Sequence, residues 1–335
     1  MRALKVMSPG EVIFAEAPAE DIAPGEVRIG VGAVGLCGTD FSLVSGTLGL
    51  NSYPVIPGHE VSGTVLETRS RFLDVGQKVI LDPLLSCGKC WACVQGTPQY
   101  CDEVGVVGVA SNGGARDEVV LPADRWVAVP AQLPLADAAL VEPVHVATTI
   151  YRAIASQNPD SVLVIGAGAI GMLLMALLQH WRPNTAVFVS DLMVDRVRRA
   201  DTWRARDLAN LGGSHVDCVV DGVGTMDSIQ TAVRHARRGG AIVVYGVPKS
   251  GAALPDADQM FRRNLRLMFV RLYDRDFRAA IGILTDGVIS ASQVVGTRLT
   301  LASAASFFND RGWQQESHWG KALVVVSNEG ARRAP

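Results

Sequence analysis

The sequence predicts an α/β protein, a small β-barrel joined to a doubly wound parallel sheet, and three observations carry that expectation. From residue 3 to about 129 the chain runs in short β-rich stretches punctuated by Pro and Gly. After Pro134, apolar strands alternate with stretches of helical spacing, which is the pattern of a parallel sheet. A length of 335 residues leaves room, at roughly 150 residues per domain, for about two such units.

The elements follow in order. Residues 27–31, 60–65 and 77–81 read as strands of the barrel, and residues 136–155 have helical spacing. Residues 162–165 form a short apolar strand, residues 166–171 a glycine-rich turn, and residues 170–180 a helix. The charge-free run 162–178 approaches the ~20 residues of a membrane helix, but that turn divides it, so no membrane span is expected. Strands recur at 186–189, 216–220 and 241–245, and the chain ends in a helix-like stretch and a strand at 322–326. Only sixteen residues separate Arg199 from Val216.

Composition narrows the function. With 48% hydrophobic and 19% charged residues, disordered and collagen-like classes are excluded. A net charge of −2 supplies no basic field for nucleic acid or anionic membranes, so a small, weakly charged substrate fits better. The start Met1-Arg-Ala-Leu-Lys5 carries charge where a signal peptide needs an apolar run, which gives a cytoplasmic expectation. In a reducing compartment, clustered cysteines point to metal rather than to disulfides.

Cys87, Cys90 and Cys93, separated by seven residues from Cys101, supply four thiolates on one loop, the composition of a closed structural zinc site. A second set is dispersed: Cys37, then His59 and Glu60, then Glu142 come from three segments, and a thiolate, an imidazole and a carboxylate drawn from them make a three-ligand zinc site with one open position. The third motif is Gly166-Ala-Gly168-Ala169-Ile170-Gly171, after a strand and opening a helix. Its first glycine permits the turn, its second lets backbone approach a pyrophosphate, and its third packs helix on strand. Asp191, twenty residues after Gly171, is placed to bind the adenosine ribose hydroxyls of NAD and to repel a 2′-phosphate.

Taken together, these residues resemble the zinc-containing medium-chain alcohol dehydrogenase family over nearly the whole chain, and Glu142-Pro143 resembles its polyol (sorbitol) and threonine dehydrogenase branch. The resemblance implies a GroES-like catalytic domain from residues 1–150 plus about 288–335 and a Rossmann NAD-binding domain from about 151–287, with a cleft joining them. It implies that Cys37, His59 and Glu142 bind catalytic zinc, that Glu60 lies beside the ion, that Thr39 relays a proton, and that Asp40 orients His59. It further places Gly246 and Val247 at the nicotinamide and Arg196 at the adenosine end, and implies two zinc ions per chain and a homodimer or homotetramer. Arg196 also begins a run with Arg198, Arg199, Arg204 and Arg206 that reads most simply as a solvated helix face.

The sixteen residues between Arg199 and Val216 are too few for the strand, helix and connections that the resemblance implies there, so either the sheet is shortened at its third-strand edge or the chain lacks a segment. Two positions also depart from the family. Ser42 stands where relatives carry a histidine as outer proton acceptor, and His145, three residues after Glu142, has no assigned part beyond packing or a substrate contact. The expected reaction is hydride transfer between a secondary alcohol and NAD, the alcohol being a polyol, sugar alcohol, cyclitol or amino alcohol. An L-threonine-type dehydrogenase and a non-catalytic dinucleotide-binding protein are the competing readings.

Overall fold

The structure, a computed structural model, describes residues 1–48, 53–248, 256–315 and 319–326. It divides into two units, Met1–Glu142 with Asp274–Pro335, and Pro143–Tyr273.

In the first unit the strand Glu26–Leu36 is the spine. One edge pairs antiparallel with Glu60–Thr68, and the other is shared, Glu118–Pro122 taking its first half and Lys321–Val325 its second. Register shifts at Arg28/Ile29 and Val31/Ala33 bend the strand so that it serves both. Lys78–Leu81 and Trp126–Ala128 extend the sheet on one side and Val295–Leu299 on the other, so both chain ends build it. Val27, Ile29, Val31 and Val34 point into a core that also holds Leu43, Leu301 and Phe308, and each such fully buried side chain contributes about 1.5–3 kcal/mol relative to exposure.

The second unit is a parallel sheet in the order Arg206–Asp207, Ala186–Ser190, Ser161–Ile165, Val216–Asp221, Ala236–Val244, Arg266–Phe269. In chain order this is 3-2-1-4-5-6, the doubly wound arrangement with its ligand crevice at strands one and four. Val162, Leu163 and Val164 are all buried, as a strand covered on both faces requires. The charge-free run is that strand, a turn and the helix Ala169–Trp181, whose residues 171–178 are buried. Among the described residues no helix is long and apolar enough to cross a membrane.

The short stretch before Val216 does contain a third strand, reduced to Arg206–Asp207 between two turns of 3₁₀ helix. Trp203 and Leu211, the last residues of those two turns, are both buried. The arginine run is correspondingly broken up and is not one helix face. Arg196, Arg198 and Arg199 lie in the helix Val194–Ala200, Arg204 takes a left-handed conformation after it, and Arg206 sits on the edge strand over the Phe188 ring at 4.5 Å. The helical stretch at 136–155 is likewise two helices, Leu135–Ala138 and Val141–Ala155.

Candidate active site

Cys37 ends the spine strand and caps the helix Gly38–Val44. Asp40, fully buried, accepts the Cys37 N–H at 2.8 Å with one carboxylate oxygen and the Gly58 N–H at 3.0 Å with the other. One carboxylate thereby fixes the two loops that carry Cys37 and His59, and its Oδ1 stands 3.8 Å from His59 Nδ1. Ligand atoms of Cys37, His59 and Glu60 all lie within 4.8 Å of one another. Glu60 Oε2 is buried with no hydrogen-bond partner among the described residues, and an uncompensated buried carboxylate oxygen is costly unless a cation satisfies it. A soft thiolate, an imidazole and a carboxylate converging on one buried point fit zinc.

Glu142, in the first turn of Val141–Ala155 and 8% exposed, stands outside that 4.8 Å group, although its charge acts on both His59 and Lys321. Burial alone would lower the His59 pKa. The charges of Asp40, Cys37 and Glu142, with a hydrogen bond to Cys37, outweigh it and raise the imidazole well above its ordinary range. Thr39 is half-buried, and its Oγ1 accepts from the Cys37 thiol at 3.8 Å.

The residue that the sequence did not offer is Lys321. Its buried ammonium donates to Glu60 Oε1 and, at 3.3 Å, to the Leu36 carbonyl. Burial alone would discharge it, but the charges of Glu60, Cys37 and Glu142 hold it above the ordinary lysine range. Gly35 makes the arrangement possible, because a Cβ there would fall 1.9 Å from Glu60 Oε2. A lone lysine heading an otherwise apolar strand is the only local signal.

The sulfurs of Cys87, Cys90, Cys93 and Cys101 also lie within 4.8 Å of one another. Backbone N–H groups turn inward onto sulfur, Cys87 N–H to Cys101 at 3.3 Å and Cys90 N–H to Cys87 at 3.4 Å. Backbone donors from Cys93 and Asp102 pull the Cys90 thiol down to about 6. For Cys101 the Cys87 N–H acts downward, but burial and the neighbouring thiols prevail and push it up to about 11. Four thiolates this close need a cation between them, so the lobe fits a closed zinc site.

In the second unit Gly166 has φ +94°, a Cβ on Gly171 would meet the Gly166 carbonyl oxygen at 2.1 Å, and a Cβ on Gly168 would meet nothing within 4 Å. The first two are required by the turn and its packing, while the third leaves an open cradle for a ligand phosphate, with Ala169 and Ile170 opening the helix behind it. Asp191 accepts the Ala167 N–H and the Met193 N–H, both at 2.8 Å, and so braces the turn. Arg196 reaches to 3.7 Å from the same carboxylate and is only 19% exposed, unlike Arg198 beside it. Gly246 is buried and donates to the Asp221 carbonyl at 3.1 Å, and Val247 is 82% exposed. His145 is buried with its ring edge against Tyr273, centroids 4.8 Å apart.

Comparison with known proteins agrees with this architecture. Residues 23–131 match the alcohol dehydrogenase GroES-like domain and residues 188–286 the zinc-binding dehydrogenase domain. The chain is 31% identical to D-altritol 5-dehydrogenase of Agrobacterium fabrum, over 93% of this chain and 96% of that one. It is 24% identical to sorbitol dehydrogenase of Bacillus subtilis, over 90% of each. Galactitol-1-phosphate dehydrogenase from Escherichia coli shares the fold with a TM-score of 0.88 at 22% identity, over 97% of this chain and 100% of that one. With the buried thiolate–imidazole–carboxylate set in one unit and the 3-2-1-4-5-6 sheet in the other, the chain belongs to the zinc-containing medium-chain alcohol dehydrogenases, in their polyol dehydrogenase-like branch.

Proposed function

We propose that this chain is a zinc-dependent, NAD-preferring dehydrogenase that oxidises a secondary alcohol of a polyol, sugar alcohol, cyclitol or amino alcohol. The observation that carries the reading is the convergence of donor atoms from half-buried Cys37 and buried His59 and Glu60 within 4.8 Å of one another. The names of the relatives, for D-altritol and for sorbitol, support the substrate class.

In this reading residues 1–150 and about 288–335 carry the catalytic domain, and about 151–287 the cofactor domain. Cys37, His59 and Glu142 hold the catalytic zinc with Glu60 beside it, and the four lobe cysteines hold a structural one. Zinc in such a site lowers the pKa of a bound alcohol, and NAD accepts the hydride. Asp40 holds the Cys37 and His59 loops in register through the Cys37 and Gly58 N–H groups, and its carboxylate stands 3.8 Å from His59 Nδ1, where it favours one orientation of the ring. The Thr39 hydroxyl, beside the Cys37 sulfur, accepts the alcohol proton and passes it outward. Ser42 is a poor base, so the proton leaves through water or another group. The Asp191 carboxylate favours a free 2′-hydroxyl over a 2′-phosphate.

The test is a panel of polyols and amino alcohols incubated with zinc-loaded enzyme and either NAD or NADP, followed by nicotinamide absorbance. Reduction of NAD by at least one polyol or amino alcohol, faster than of NADP, is expected. Activity with NADP alone, or with L-threonine alone, would contradict the proposal.

A further inference from the structure

Tyr245 leaves the strand Ala236–Val244 at the carboxyl end of the parallel sheet. Its N–H donates to the Asp221 carbonyl at 3.0 Å, which holds the segment against the end of the strand Val216–Asp221. The phenol then lies over Gly222: a Cβ on that residue would fall 2.1 Å from the Tyr245 hydroxyl oxygen and 2.4 Å from Cζ. Gly222 and Val223 in turn abut the glycine turn, since a Cβ on Gly166 would meet Val223 Cγ2 at 3.0 Å and the Gly222 carbonyl carbon at 3.7 Å. The hydroxyl therefore stands at the mouth between strands one and four of the sheet, where open parallel sheets bind their ligands.

Its surroundings are acidic and already occupied. Asp221 accepts from the N–H groups of Val223 at 2.9 Å and Gly224 at 3.3 Å and from the Ser228 hydroxyl at 2.8 Å. Asp191 is engaged by Ala167 and Met193. Burial first, and then the charges of Asp221 and Asp191, raise the phenol pKa, so the group stays a neutral donor. It makes no hydrogen bond among the described residues. A half-buried tyrosine with its ring fixed against Gly222 and its hydroxyl proton not taken by the protein can donate to a ligand oxygen in place of water.

We propose that Tyr245 is a cofactor-binding residue whose hydroxyl donates to the ribose–pyrophosphate part of the bound dinucleotide, and that residue 222 is glycine to admit the phenol. The proposal rests on the dinucleotide reading given above. Beside two fixed carboxylates a neutral donor suits an anionic ligand, because it adds a hydrogen bond without another charge to balance. The ring is held by Gly222 before binding, so little conformational freedom is lost on forming the contact.

Tyr245→Phe removes only the hydroxyl and keeps the ring in its place. Binding of NADH and of ADP-ribose, without alcohol, is measured by titration on the zinc-loaded wild type and on the variant, with thermal unfolding of each alone. The expectation is about five- to tenfold weaker binding of both ligands, the loss of one neutral hydrogen bond, with an unchanged melting temperature. Gly222→Ala, which pushes the phenol aside, should weaken both ligands in the same direction. Wild-type affinity in Tyr245→Phe, or loss of NADH affinity with ADP-ribose binding intact, would overturn the assignment. A wild type that binds neither ligand would overturn the dinucleotide reading along with it, so the two failures are distinguishable.

Discussion

Glu60 has one oxygen on Lys321, the other without a hydrogen-bond partner among the described residues, and almost no exposure to water. Removing one partner of such a buried pair leaves an uncompensated charge and costs about 3–5 kcal/mol, whereas removing both charges costs far less. Lys321→Met should therefore lower the unfolding midpoint sharply, and the double variant Lys321→Met/Glu60→Gln should recover most of the loss. A double variant no more stable than Lys321→Met would contradict the pairing. Residues close in sequence announced themselves here, as His59 and Glu60 did beside a glycine. Lys321 did not, because it lies 261 residues from Glu60 and the pairing of Lys321–Val325 with the spine strand alone brings it in. No local pattern distinguishes a lysine that begins a strand at the surface from one that begins it beside a buried carboxylate.

At the scale of elements, the glycine turn was legible because each of its glycines answers a separate steric demand, while the role of Asp191 in bracing that turn was not. Its two backbone bonds belong to the conformation of the loop rather than to residue spacing. Asp191→Ala is expected to act twice. It removes the acceptor for the ribose hydroxyls, weakening NAD about tenfold or more, and it frees Arg196 from its carboxylate partner to meet a 2′-phosphate. The ratio of NAD to NADP affinity, measured by titration, should fall, and an unchanged ratio would remove Asp191 from the site. The shortened third strand shows the converse limit. The count of residues shows that the stretch is short, but only the structure shows that a two-residue third strand between 3₁₀ turns keeps the strand order.

Across the whole molecule, the two clusters of metal-ligating side chains sit in the same unit and differ in kind. The four cysteines of the lobe come from fifteen consecutive residues and form a closed set of sulfurs, so metal there is folding free energy. Cys37, His59 and Glu60 are gathered from two strand ends and a loop, with mixed donors and an unsatisfied oxygen, and in the reading proposed above, with Glu142 as third ligand, they would leave a metal with a position for substrate. The central claim is that the dispersed set is catalytic and the compact set structural. Cys37→Ser and Cys93→Ser, compared side by side for zinc content, thermal unfolding and NADH formation on a confirmed alcohol, separate them most directly. Each variant should lose one zinc. Cys93→Ser should unfold at a lower temperature, while Cys37→Ser should keep its fold and its NAD binding yet lose turnover. Near-normal turnover in Cys37→Ser would contradict the account.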